Sequence, residues 1–211
     1  GFDELPGAYE NPDKPLAYLV EYAKFMECQF ASLLAEGAAR IRKLDPDAKT
    51  TFQPCTIRTS GIDLFRCYRN LDVVCSQTGG RGVMPAALLR GLAEGKPIVD
   101  NEMYIGNTTN SIRGSYLAQY IRGFNVSYSF KWESGKSGYY FMNRDNVQLD
   151  ALLGSRIAKR DVMDVNEFFT PRRRGVPHEV AILFSSPTER VAEDGLDGYK
   201  CFDQAQSVAE F

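Results

Sequence analysis

Glu102 is the side chain in this sequence whose type and position are best suited to catalysis. The residues from Pro97 to Glu102 form a short run, apolar at its start, that closes on an acid, and a helix-like segment and a Gly-Lys-Pro turn precede it. This pattern predicts a buried strand with a carboxylate at its carboxyl end. Parallel (β/α)₈ barrels carry their reacting groups at that end of the sheet. The alternative is an exposed acid that merely follows a strand.

Other predicted strands also close on polar side chains. Gln53 and Gln77 each follow a short strand-like segment, and their amides can exchange hydrogen bonds with hydroxyl groups. Lys131 and Trp132 close the last predicted strand. Lys131 can keep a neighbouring carboxylate ionised, or it can simply face solvent. Trp132 offers an apolar ring face to a ligand, or it can belong to the core.

The candidate residues lie in a chain that alternates between helix and strand. A long helix is predicted from Pro15 to Lys43, because apolar residues recur every three or four positions before the stop at Asp45-Pro46-Asp47. Later helices are predicted at residues 62–71, 84–94, 111–122 and 147–159, and strands at residues 50–55, 72–76, 97–102 and 124–132. Residues 139–144 are predicted to be irregular. Alternation at a spacing of about 25 residues predicts a parallel sheet built from βαβ units.

A second domain is predicted after residues 171–178, a linker rich in proline and arginine. Residues 179–211 hold one predicted strand and one helix, which resemble the opening of a flavodoxin-like domain. The four strands predicted within residues 1–170 are half of the eight that a closed barrel needs. The predicted fold class is therefore α/β, the C-terminal half of a (β/α)₈ TIM barrel followed by the beginning of a flavodoxin-like domain.

Composition bears on the partners and on the compartment. The 211 residues carry a net charge of −2, so there is no electrostatic reason to expect a nucleic acid or an anionic membrane as a partner. No apolar stretch approaches the roughly 20 residues of a membrane-spanning helix. The five cysteines are odd in number and lack a CxxC pair, which argues against a disulfide framework and a zinc site. Free thiols favour a reducing, cytoplasmic compartment.

The order of several segments resembles the second half of the catalytic barrel of the family 42 β-galactosidases. The segments are Asn11-Pro12 before the long helix, then residues 42–51 (RKLDPDAKTT), 71–74 (LDVV), 95–102 (GKPIVDNE) and 123–132 (GFNVSYSFKW). The resemblance implies that the four strands are the fifth to the eighth of the barrel. Residues 179–185 resemble the first strand of the trimerisation domain that follows this barrel. A neighbouring family of the same clan of retaining glycosidases would show a similar order.

The resemblance implies a role for each candidate residue. Glu102 matches the family's nucleophile, and Trp132 matches a wall of the sugar subsite, with Lys131 beside it. Glu133 follows directly, where family members carry arginine and place a sugar-binding acid further on. Tyr104 is the best placed of three tyrosines, the others being Tyr128 and Tyr139, to donate a phenol. The reaction needs neither a metal nor an organic cofactor.

The end of the sixth strand departs from the family. It carries Ser76-Gln77 where family members carry an aspartate and a tyrosine. The departure keeps open a glycosidase of the same clan that acts on a different sugar. A carbohydrate-binding or structural barrel without catalysis is the alternative from another class of protein.

The resemblance also implies a second carboxylate, in an Asn-Glu pair upstream of the long helix. No such pair precedes Pro15, and Glu4 and Glu10 lie in predicted loop. We therefore expect the chain to be a fragment that begins after the acid/base glutamate, and to fold poorly and be inactive alone. The full-length protein is expected to be a homo-oligomer, a trimer, that acts on an oligo- or polysaccharide.

Overall fold

The computed structural model describes residues 16–54, 62–77, 83–103, 108–129, 133–134, 142–143 and 149–172. Its helices are α1 (Leu16–Leu44), α2 (Leu64–Arg69), α3 (Val83–Ala93), α4 (Thr109–Ile121) and α5 (Leu149–Arg172). Its strands are β1 (Val74–Ser76), β2 (Ile98–Met103), β3 (Val126–Ser129), β4 (Glu133–Ser134) and β5 (Met142–Asn143). Helices and strands alternate from α2 to β3, and the α/β class is confirmed.

The main sheet consists of three parallel strands in the order β1-β2-β3. Val74 pairs with Ile98, and Val99 pairs with Val126. Each crossover passes through one helix, α3 between β1 and β2 and α4 between β2 and β3. These two βαβ units are the arrangement that the alternation predicted. The (β/α)₈ barrel that would contain them stays a prediction.

Helices cover one face of this sheet. Tyr68 of α2 and Leu89 of α3 pack with Val74 and Ile98 in a buried apolar cluster. Burial of an aliphatic side chain of this size stabilises a fold by about 1.5–3 kcal/mol. The predicted helix stops also hold, because Gly95 and Gly123, which follow α3 and α4, have φ angles of 88° and 100°. Glycine adopts this left-handed conformation without a steric penalty.

Helix α5 packs closely against α4. A Cβ atom on Gly154 would lie 2.7 Å from the carbonyl oxygen of Thr109 and 2.9 Å from Cβ of Ile112, so the two backbones approach through a glycine. An ion pair of 2.5 Å joins Arg113 Nε and Asp161 Oδ2 across the same interface. The predicted helix at residues 147–159 therefore exists, and its contacts tie it to the helix that follows β2.

The strand predicted at residues 50–55 is wrong for residues 50–54, which form no regular strand although they lie beside β1. The carbonyl oxygen of Thr50 accepts hydrogen bonds from the amides of both Asp72 and Val73, at 2.9 and 3.2 Å. The Thr51 hydroxyl donates to the carbonyl oxygen of Val73 at 2.8 Å. In a regular ladder, the backbone groups of successive residues form these hydrogen bonds in turn. Here the carbonyl of Thr50 accepts two of them, and the side chain of Thr51 donates the third.

Two further predicted boundaries differ from the structure. Met142–Asn143 lies within the stretch predicted to be irregular, yet it forms β5 and pairs in parallel with β4. Helix α5 includes most of the predicted helix at residues 147–159 and continues to Arg172, two residues into the predicted linker. The rest of the linker and the predicted second domain lie outside the described residues. None of the helices that the structure describes combines the length and hydrophobicity of a membrane span.

Candidate active site

Glu102 lies next to the end of β2, the middle strand of the sheet, and its side chain is partly exposed. A bulge in the pairing with β3 occurs at this point. Asp100 pairs with Ser127 and Met103 pairs with Ser129, so that Asn101 and Glu102 together oppose one residue, Tyr128. Bulges of this kind change the direction of a side chain and are common beside active sites.

The bulge turns Glu102 away from the helices. Ile98 and Asp100 are buried on the face that the helices cover, and simple alternation would place Glu102 on that face too. Because of the extra residue, Met103 occupies that position on the helix face, where it packs against Ile112 of α4. Glu102 is thereby directed to the opposite face, where Tyr128 of β3 is 60% exposed. On that face a carboxylate is accessible to a ligand.

The amide of Gln53 contacts this carboxylate. Gln53 Nε2 donates to Glu102 Oε2 at 2.7 Å, which is a short bond for an amide and a carboxylate. The sequence predicted that both residues belong to one site, and the structure brings them together. Their contact fixes the orientation of one oxygen of Glu102 from the side of β1.

Tyr68 holds the backbone beside Gln53 in place. Its hydroxyl donates to the carbonyl oxygen of Phe52 at 3.2 Å and also to that of Cys75. The Tyr68 and Phe52 rings lie 4.9 Å apart between centroids. Burial is the main cause that raises the pKa of Tyr68, so the phenol stays protonated and keeps donating. The segment that carries Gln53 is thus anchored to β1 by side-chain contacts in place of a strand ladder.

Asp100 lies beneath Glu102 on the helix side of the sheet, where it is fully buried. Its Oδ1 accepts from the backbone amide of Glu102 at 3.3 Å, and its Oδ2 accepts from Gln119 Nε2 of α4 at 2.9 Å. Its charge also acts on Cys75 of the next strand. Burial, with the nearby Asp100 carboxylate, raises the pKa of the Cys75 thiol to about 11, so this thiol is neutral at neutral pH.

The other predicted site residues are less fully placed. Gln77 follows β1 at the same edge of the sheet and is partly exposed. Glu133 is the first residue of β4. Tyr104, Lys131, Trp132 and Tyr139 lie outside the described residues. Their roles as sugar-binding residues stay predictions.

The pair formed by Asp100 and Gln119 was not predicted from the sequence. Asp100 lies within the predicted strand at residues 97–102, and its polar neighbours Asn101 and Glu102 did not indicate a bulge. The available signal was the spacing of two residues between Asp100 and Glu102, because an aspartate side chain often accepts from the backbone amide two residues on. Gln119 lacks such a local signal, since its contact spans from α4 to β2.

Within the described residues, no group of three or more histidine, cysteine, aspartate and glutamate side chains is arranged to hold a metal ion. The arrangement around Glu102 is a carboxylate oriented by an amide, with a second carboxylate buried behind it. Comparisons with protein-family models, curated proteins and solved structures found no match to this chain. The resemblance to the family 42 β-galactosidases therefore stays a prediction.

Proposed function

We propose that the protein is a retaining glycoside hydrolase of the β-galactosidase type, with Glu102 as its nucleophile. The observation that carries the proposal is the 2.7 Å hydrogen bond between Gln53 and Glu102 at the carboxyl end of a parallel sheet. Carboxylates at that end of the strands form the catalytic centres of barrel enzymes. An amide that orients one carboxylate oxygen favours attack from a fixed direction.

In the proposed reaction, a carboxylate oxygen of Glu102 attacks the anomeric carbon of a terminal sugar and forms a glycosyl ester. A carboxylic acid on the other side of the bond protonates the departing oxygen. The same group then removes a proton from water, which attacks the anomeric carbon and releases Glu102. Two displacements at one carbon leave its configuration unchanged.

The second carboxyl group should lie about 5–5.5 Å from Glu102. Asp100 is unsuited to this role, because it is buried on the helix side of the sheet and already accepts from Gln119. The family resemblance assigns this role to a glutamate in an Asn-Glu pair. The sugar would be bound by Trp132, Lys131, Tyr104, Glu133 and Gln77, on the same basis.

Gln77 leaves the identity of the sugar open. It stands at the end of β1 where the β-galactosidases carry a tyrosine, so a glycosidase of the same clan that takes a different sugar is the closest alternative. A carbohydrate-binding barrel without catalysis is the alternative from a different class. The glycosidase would hydrolyse a glycoside of another sugar, whereas the binding barrel would hydrolyse none.

The proposal is tested by assaying the full-length protein on a panel of nitrophenyl glycosides. Turnover of at least one substrate is expected, and Glu102→Gln should lower kcat by at least about 10³-fold because it removes the attacking oxygen anion. Glu36→Gln is the matched control, since Glu36 is exposed on α1 and forms its ion pair with Arg40 one turn away on the same helix. Activity that survives Glu102→Gln would remove the nucleophile assignment, and no turnover of any glycoside would favour the binding protein.

A further inference from the structure

Asp100 is a buried carboxylate in a layer of the sheet that is otherwise expected to be apolar. It is 0% exposed, and the residues in register with it on both neighbouring strands, Ser76 and Ser127, are also polar. Two residues earlier on each strand, and therefore on the same face, the paired residues Val74 and Ile98 belong to the apolar core. Burial of a charge costs several kcal/mol of desolvation unless hydrogen bonds offset it, so stability alone is a poor reason for an aspartate here.

The contacts of Asp100 connect helix α4 with the bulge. Gln119 Nε2 donates to Asp100 Oδ2 at 2.9 Å, and Asp100 Oδ1 accepts from the amide of Glu102 at 3.3 Å. Gln119 is 2% exposed, so its amide has little freedom to move. The backbone of Glu102 is therefore linked through one carboxylate to a fixed position on the helix.

We infer that Asp100 and Gln119 form a positioning pair that holds the backbone of Glu102 in the bulge and so directs its carboxylate toward the substrate. The inference rests on the proposed function of Glu102. Gln53 orients the side chain from the exposed face, and the pair restrains the backbone from the helix face. Without the pair, β2 can return toward regular alternation, which turns Glu102 toward the helices. A displacement of about 1 Å can cost about 10²-fold in rate.

The test exchanges the carboxylate and the amide within the pair. In Gln119→Glu, two carboxylates face each other, and neither carries a donor. In the double variant Asp100→Asn with Gln119→Glu, the donor on residue 100 faces an acceptor on residue 119. The side-chain oxygen of residue 100 can again accept from the backbone amide of Glu102. The double variant therefore restores both bonds with the charge moved by one side chain.

The readout is the rate at which Glu102 is labelled by a dinitrophenyl glycoside of the sugar that the unaltered protein hydrolyses, in which fluorine replaces the hydroxyl next to the anomeric carbon. Glu102 forms the ester, dinitrophenolate leaves, and the fluorine slows hydrolysis, so mass spectrometry of peptides finds the label. Labelling of Gln119→Glu should be slower by about 10- to 100-fold, and the double variant should recover most of the rate. Hydrogen exchange at the Glu102 amide should speed up in Gln119→Glu and slow again in the double variant.

Gly95→Ala is the control for a loss of stability alone, because Gly95 has a φ angle of 88°, which strains an alanine, and it precedes β2 at the end away from Glu102. It should label Glu102 at the unaltered rate. If Gln119→Glu does not fold, Gln119→Met carries the same test, since it removes the amide that donates to Asp100. Unchanged labelling in a folded Gln119→Glu or Gln119→Met would overturn the inference and leave the proposed function standing. Failure to label Glu102 in the unaltered protein with the fluorinated glycoside of any sugar in the panel would overturn both.

Discussion

Gln53 donates to Oε2 of Glu102 at 2.7 Å, although the two residues are 49 positions apart in the chain. The contact joins the irregular segment beside β1 to the bulge in β2. It forms because Tyr68 fixes the backbone next to Gln53, while the bulge turns Glu102 to the accessible face. Two local irregularities, one on each side, thus create the centre of the candidate site.

Replacement of Gln53 should change the dependence of activity on pH. In Gln53→Glu a second carboxylate lies beside Glu102, and two adjacent carboxylates bind a proton at higher pH than one does. The acidic limb of the profile of kcat/KM against pH should therefore move to higher pH. Gln29→Glu is the matched control, because Gln29 is exposed on α1 far along the chain. An identical acidic limb in the unaltered protein and Gln53→Glu would show that the contact has no part in the reaction.

Asp72 should stabilise the fold in a manner that depends on pH. Hydrogen bonds from the hydroxyl and the amide of Thr50, together with Arg42, lower the pKa of Asp72 to about 2. The pKa of an aspartate in an unfolded chain is about 3.9. Because the folded value is the lower one, the contribution is fully present above about pH 4 and is lost as the pH falls through about 2.

The measurement for Asp72 is the urea midpoint of unfolding for the full-length protein and for Asp72→Asn. The difference between the two midpoints should be large near pH 6 and should shrink toward pH 2. Asp164→Asn is the control, because Asp164 is exposed on α5, and it should leave the urea midpoint nearly unchanged at both pH values. A difference for Asp72→Asn that is the same at both pH values would contradict the role of its charge.

Gly154→Ala should destabilise the contact between α4 and α5. The new methyl group would meet the carbonyl oxygen of Thr109 at 2.7 Å, and backbone cannot move aside as a flexible side chain can. Overpacking of this kind costs about 1–3 kcal/mol. Gly114→Ala in α4 is the matched control, since its Cβ would meet nothing within 4 Å and alanine favours a helix by about 0.5–1 kcal/mol. The Tm of thermal unfolding should fall in Gly154→Ala and rise in Gly114→Ala. A change of the same sign in both variants would contradict the close packing at Gly154.

The sequence predicted helices well where a periodic apolar face and a stop signal coincide. Helix α1 lies within one residue of its predicted bounds, because the apolar spacing and the stop at Asp45-Pro46-Asp47 are local features. The region of residues 50–54 was predicted wrongly, because β-branched residues favour a strand locally while the contacts with Asp72 and Tyr68 are tertiary. Periodicity cannot register such contacts.

The candidate site was predictable in part. Glu102 and Gln53 were recognised as polar residues at the ends of predicted strands, and parallel strands bring such ends together at one edge. The bulge and the contact of Asp100 with Gln119 were not predicted, because a bulge depends on pairing with another strand and no local feature of α4 indicates which of its faces meets β2.

The most direct test of Glu102 as the nucleophile is the rescue of Glu102→Gly by azide in the full-length protein. The variant should release nitrophenolate from a nitrophenyl β-glycoside at least about 10³-fold more slowly than the unaltered protein. Azide should restore part of the rate, because it can occupy the space of the lost carboxylate and attack the anomeric carbon as nitrophenolate leaves. The product should be a glycosyl azide of inverted, α configuration. Undiminished turnover without azide, or a glycosyl azide of β configuration, would contradict the role of Glu102 as the nucleophile.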